Sequence, residues 1–211
     1  MQTQGAIMKV IGITGGIGSG KTEVLKYLGD KGAYILEADS MAHKLMLPGK
    51  AAYVKIVECF GEDILMLDKK IDRAKLGALV FNDKNALKNL NDIVHPTVKE
   101  YIRDDISKKK KSGSFDLYII EAALLIQDGY KEICDEIWYI FVEQKERIRR
   151  LISGRGGNTA KYELIIDNQE PDSFYFDNSD EVIDNNGTIE KTKSIINELL
   201  NKSTYCGTIT K

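Results

Sequence analysis

Gly15-Gly16-Ile17-Gly18-Ser19-Gly20-Lys21-Thr22 decides how this chain is read. The stretch satisfies the pattern G-x-x-x-x-G-K-(S/T), in which glycines let the backbone close around a phosphate with its N–H groups turned inward. Met8 to Thr14 is a short apolar run, which predicts a buried strand entering the turn directly. Lys21 to Leu28 predicts a helix, with Val24, Leu25 and Leu28 at helical spacing. Its positive end adds to the attraction for an anion. Gly16, Gly18, Ser19 and Gly20 are expected to form the cradle. Lys21 should place a charge on the β- and γ-phosphates of ATP, and the Thr22 hydroxyl should complete a Mg²⁺ shell. A dinucleotide turn leaves the Lys-Thr pair without a task.

Downstream of Gly32, Tyr34-Ile35-Leu36 predicts a second strand ending at Glu37-Ala38-Asp39. Strand, glycine turn, helix and strand in this order indicate a βαβ unit, hence an α/β fold with a parallel sheet. Residues from about 40 to 111 read as mostly helical, with apolar stripes at Tyr53, Ile56, Val57 and Phe60, at Leu76, Leu79 and Val80, and at Val98, Tyr101, Ile102 and Ile106. Further strands are expected at Phe115–Glu121, Ile137–Val142 and Glu181–Asp184, with helices at Gln144–Ile152 and Ile189–Leu200. Ser153 to Asn158 reads as a glycine-rich break, and the tail from Asn201 as frayed. Lys108 to Lys111 suits a solvated helix end.

Composition narrows the function. Thirty basic residues face 32 acidic ones, for a net charge of −2, so no broad nucleic-acid surface is expected. Cys59, Cys134 and Cys206 are scattered, which suggests free thiols and no zinc site. No apolar stretch suits a membrane span and no signal peptide is visible, so the expected setting is the cytoplasm.

Glu121 ends an apolar strand, where an acid can hold Mg²⁺. Asp39 follows the second strand and could take a proton from an acceptor hydroxyl, or could instead cap a helix starting near Ser40. His95-Pro96 fits the first turn of a helix, with His95 a candidate substrate contact. Arg147, Arg149, Arg150 and Arg155 flank the glycine break; guanidinium forks suit phosphate oxygens, and a closing lid would carry them.

The ordered set of these segments resembles the bacterial dephospho-coenzyme A kinases from Met8 to Leu200. The resemblance rests on Ile11 to Thr22, Glu37-Ala38-Asp39 with His43, Phe60-Gly61, Ile71-Asp72-Arg73 with Leu76-Gly77, Val80-Phe81, His95-Pro96, Leu124-Leu125 and Val182 to Gly187. It implies a P-loop kinase three-layer fold with a central five-stranded parallel sheet, an inserted helical substrate lobe and a lid. The nucleotide core would comprise residues of about 8–40, 113–143 and 179–200, the helical lobe 41–112 and the lid 144–178. It also implies ATP-dependent phosphorylation of the ribose 3′-hydroxyl of dephospho-coenzyme A by a monomer or weak homo-oligomer. Asp39 and Lys21 would be catalytic, and Arg73 and His95 would join Asp39 on the acceptor. Arg150, Arg155 and Asn185 would contact ATP, with Gln169 at the family's lid glutamine. The chain departs from the family at Glu37 for the first Asp, at Ala123 for a proline and at Gln127 for a glutamate. Arg150 and Arg155 are also spaced one residue wider than the family's lid pair.

Overall fold

β1 (Lys9–Thr14) is apolar on both of its faces, as a strand covered on two sides must be. In the computed structural model, which describes residues 8–202, it occupies the middle of the sheet. The other strands are β2 (Tyr34–Glu37), β3 (Leu117–Glu121), β4 (Glu136–Phe141) and β5 (Glu181–Asp184), in the order β2-β3-β1-β4-β5. β1 pairs in parallel with β3 and β4, and β4 with β5. Ile13 lies level with both Glu121 and Trp138, so the carboxyl ends of these strands reach one edge together.

The chain forms two units. The first comprises described residues 8–36 and 109–202. Here α1 (Lys21–Asp30) and α9 (Ile189–Lys202) cover one face of the sheet, placing Val24, Leu28, Ile196 and Leu199 against Ile11, Ile13, Trp138, Ile140 and Ile183. Burial of each such side chain contributes about 1.5–3 kcal/mol. After β4 come α6 (Gln144–Arg155), α7 (Thr159–Asp167) and α8 (Asp172–Asn178). Asn158 caps α7 by accepting from Lys161 N, and Ile148, Leu151, Tyr162 and Ile166 form a small core that Ile17 joins.

The second unit, residues 37–108, contains α2 (Ala38–Leu45), α3 (Ala51–Phe60), α4 (Arg73–Asn82) and most of α5 (Lys84–Ser112). Asp72 caps α4 by accepting from Ala74 N and Lys75 N at 3.0 and 3.1 Å. Leu65 and Ile71 form an antiparallel bridge around a turn in which Lys69 has φ of 64°. That turn is held by Tyr53 Oη, which donates to Lys69 O at 2.6 Å.

Several expectations are corrected. Pro96 does not open a helix but lies inside α5, so the carbonyl of Asp92 loses its usual partner. The helix continues because its buried stripe continues: Val98, Ile102 and Ile106 are buried beyond the proline. Thr97 Oγ1 also donates back to Ile93 O at 2.7 Å. Leu79 and Tyr101, expected in apolar stripes, are exposed. α6 extends to Arg155, leaving a shorter break at Gly156-Gly157-Asn158. α9 runs through Lys202 where a frayed tail was expected. The N-terminal extension at residues 1–7 and Cys206 lie outside the described residues. Cys59 and Cys134 are free thiols, and burial pushes the Cys134 thiol up to about 12. No helix among the described residues is long and apolar enough to cross a membrane.

Candidate nucleotide site and helical unit

The glycine-rich loop joins the end of β1 to Lys21, the first residue of α1. Gly18 and Gly20 have φ of 79° and 84°, left-handed values that side chains rarely adopt. Gly20 is the N-cap of α1 and no side chain caps it, so the amides opening the helix are left for an anion. Gly16 is constrained by space: a Cβ there would lie 2.1 Å from Arg147 Nη2.

Lys21 Nζ donates to Gly15 O at 2.6 Å and stands 3.9 Å from Glu121 Oε1. One ammonium is thereby held over the loop between a carbonyl and a carboxylate. Thr22 is exposed in the first turn of α1, and Glu121 ends β3 at the same sheet edge. The described residues contain no cluster of three or more His, Cys, Asp or Glu that could hold a metal. One hydroxyl and one carboxylate beside a phosphate cradle suit magnesium, which takes its remaining ligands from phosphate oxygens and water. Ser19 Oγ, buried without a partner among the described residues, is a further group that a ligand oxygen could satisfy.

Asn185 lies just beyond β5 and is buried. Its Nδ2 donates to Ser19 O at 2.7 Å, and its Oδ1 accepts from Thr192 Oγ1 at 2.6 Å. The side chain therefore braces the loop backbone just before it enters α1. Arg150 Nη2 donates to Asn185 O at 2.8 Å, and Arg150 Nε to Glu146 Oε1 at 2.8 Å. Hydrogen bonds from Arg149 and Arg150 hold the Glu146 carboxyl down at about 2. Arg155, by contrast, is exposed at the end of α6 with no hydrogen bond or ion pair among the described residues. Asn185→Ala should cost about 1–3 kcal/mol, because it takes the amide partner from the Ser19 carbonyl and leaves Thr192 Oγ1 only its 3.4 Å bond to Thr188 O. Chemical denaturation should show this as a lower midpoint with an unchanged slope.

The arginine that touches the loop is Arg147, which the sequence placed only within a cluster. It is 5% exposed, and its Nε donates to Ile17 O at 2.9 Å. Its Nη2 donates to Gln169 Oε1, which also accepts from Ile17 N at 3.1 Å. The signal that could have singled it out is helical phase, since Arg147, Ile148 and Leu151 form the buried face of α6.

In the second unit, Asp39 is exposed at the second position of α2, with Glu37 as N-cap. It is not the cap of a helix starting near Ser40; instead Ser40 Oγ donates to Glu37 Oε2 at 2.9 Å. Arg73 Nη2 and His43 Nε2 are 2.9 Å apart. They line a pocket of about 190 Å³ with Met46, Leu47, Lys70 and Ile71. The combination of cationic and apolar groups suits an anionic molecule with an organic arm. His95 is half-buried in α5 and does not line that pocket.

The family model described as dephospho-CoA kinase matches residues 9–191. The dephospho-CoA kinase of Carboxydothermus hydrogenoformans is 38% identical over 196 residues, covering 93% of this chain and 95% of that protein. That of Geobacter sulfurreducens is 36% identical over 192 residues, covering 91% and 97%. Among solved structures, a Thermus thermophilus protein superposes with a TM-score of 0.75 at 26% identity, covering 93% of this chain and 98% of its own. The dephospho-CoA kinase of Campylobacter jejuni, at 22% identity, has a TM-score of 0.68, with coverage of 92% and 98%. A shikimate kinase from Acinetobacter baumannii shares the fold at 13% identity and a TM-score of 0.53, over 94% of this chain and 97% of its own.

Proposed function

Because the chain belongs to the dephospho-CoA kinase family, we propose that it transfers the γ-phosphoryl group of ATP to the ribose 3′-hydroxyl of dephospho-coenzyme A, the final step of coenzyme A synthesis. The observation that carries this reading is the extent of the family match. It runs from β1 and the phosphate loop through the whole helical unit to β5 and the start of α9, and so includes the part of the chain that must recognise the acceptor.

Each residue then has a task. The loop amides and Lys21 bind the phosphates and stabilise charge on the transferred group. Thr22 and Glu121 would hold magnesium, which would supply positive charge to the triphosphate. The 3′-oxygen attacks the γ-phosphorus in line, the bond from that phosphorus to the β-phosphate oxygen breaks, and ADP leaves. Asp39 accepts the hydroxyl proton or orients it for attack. Arg73, with His43 beside it, and His95 belong to acceptor recognition in the helical unit. The segment α6–α8 serves as the lid, and Arg150 and Arg155 are its nucleotide contacts once Arg150 exchanges Asn185 O for a phosphate oxygen and Arg155 leaves solvent. Cytoplasmic location suits such an enzyme.

A panel of acceptors with labelled ATP, read by product mass, tests the proposal. Dephospho-coenzyme A should gain one phosphoryl group on its ribose far faster than any nucleoside or nucleoside monophosphate does. Faster phosphorylation of a nucleoside monophosphate would overturn it.

A further inference from the structure

Ile17 sits at the crest of the phosphate loop, and both of its backbone polar groups are claimed by distant side chains. Arg147 Nε of α6 holds its carbonyl at 2.9 Å, and Gln169 Oε1, in the turn between α7 and α8, holds its N–H at 3.1 Å. The two side chains also bond each other, so one peptide segment, a guanidinium and an amide close a ring of hydrogen bonds. The ring is anchored behind. Asp172, the first residue of α8, lies 3.8 Å from Arg147 Nη1 and accepts from Tyr139 Oη at 2.6 Å. Tyr139 stacks on Tyr175 with centroids 4.8 Å apart and planes 12° apart. The guanidinium also sets the identity of its neighbour, since a side chain at Gly16 would collide with it.

A guanidinium committed in this way is not a charge waiting for phosphate. Its Nε is spent on Ile17 and its Nη2 on Gln169, and the group is almost wholly buried. We propose that Arg147 and Gln169 are positioning residues for the phosphate-binding loop: they fix the peptide planes on either side of Ile17 and so preset the amides that receive ATP. The inference rests on the kinase reading above and goes beyond it. It assigns the lid segment a part in shaping the ATP site that does not depend on a direct contact with nucleotide. Because both residues act on one peptide segment, breaking either link releases the same loop.

ATP affinity of the full chain, measured by calorimetry, tests this together with steady-state kinetics and thermal melting. Gln169→Leu should weaken ATP on the order of tenfold, as loss of a charge-assisted hydrogen bond does, while the acceptor KM at saturating ATP is unchanged. Arg147→Lys keeps the charge but cannot grip both partners, and should weaken ATP to a similar degree. The double variant should be no weaker than the poorer single variant, because coupled groups fail to add. Wild-type ATP affinity in Gln169→Leu overturns the inference, as does a lowered melting point with equal losses for ATP and acceptor, or additive losses in the double variant. If the Arg147 variant does not fold, Gln169→Leu decides alone. Failure of the wild-type chain to bind ATP would instead overturn the kinase reading.

Discussion

Lys21→Ala is expected to lower phosphoryl transfer by a factor on the order of 10²–10³, the usual cost of removing one preorganised positive group from a charge-stabilising site. In the proposed mechanism the side chain serves the phosphates, and its contacts lie at the site itself. Its ammonium bonds the loop's own Gly15 carbonyl and faces Glu121 across 3.9 Å, at the edge of the sheet and not in its apolar core. Replacing Gly15 as partner by phosphate oxygens exchanges a neutral acceptor for an anionic one, which makes a stronger hydrogen bond. Single-turnover transfer with saturating ATP should therefore collapse while the melting temperature stays within a few degrees of wild type. Transfer within threefold of wild type would remove Lys21 from the mechanism.

Asp39→Ala should lower kcat by a factor on the order of 10²–10⁴, the range typical of a lost general base, and leave ATP affinity within a few-fold of wild type. Asp39 is exposed in the first turn of α2 and makes no hydrogen bond or ion pair among the described residues. Its structural contribution is confined to the favourable end of the helix dipole, about 0.3–1 kcal/mol. Asp39→Asn keeps the shape and removes the base, so it should fall nearly as far in kcat. Glu37→Gln is the contrasting case, because Glu37 is engaged by Ser40 Oγ. It should lose far less. Turnover at the wild-type rate in Asp39→Ala would exclude the residue as base, whatever the acceptor proves to be.

The elements nearest the glycine-rich loop were legible because their causes are local. A glycine pattern, an apolar run before it and a 3.6-residue stripe after it specify strand, cradle and helix from within a dozen or so residues. β5 was legible to the residue for the same reason. Where the expectation failed, packing overrode local preference. Proline disfavours a helix interior, yet α5 carries Pro96 because its buried face runs on through Val98, Ile102 and Ile106.

The site divided along the same line. Lys21, Thr22 and Glu121 could be named from position in the pattern, since a P-loop and a strand end define their surroundings. Arg147 could not be separated from Arg149, Arg150 and Arg155, because four arginines on one segment look alike until helical phase and tertiary contact sort them. Arg149 is spent on Glu146, Arg150 on Glu146 and Asn185, and Arg155 on solvent.

By itself the sequence determined the class of this protein, an α/β kinase, and the strand, glycine turn and helix that open it. Only the tertiary structure decided how the loop is held in shape. Its braces are Arg147 and Gln169 on Ile17 and Asn185 on Ser19, which come from 130, 152 and 166 residues away. A cradle of glycines is specified by short-range sterics, which a sequence displays. Side-chain bonds to its backbone depend on where the parallel sheet sets down α6, α8 and β5, and no window of the sequence contains that information.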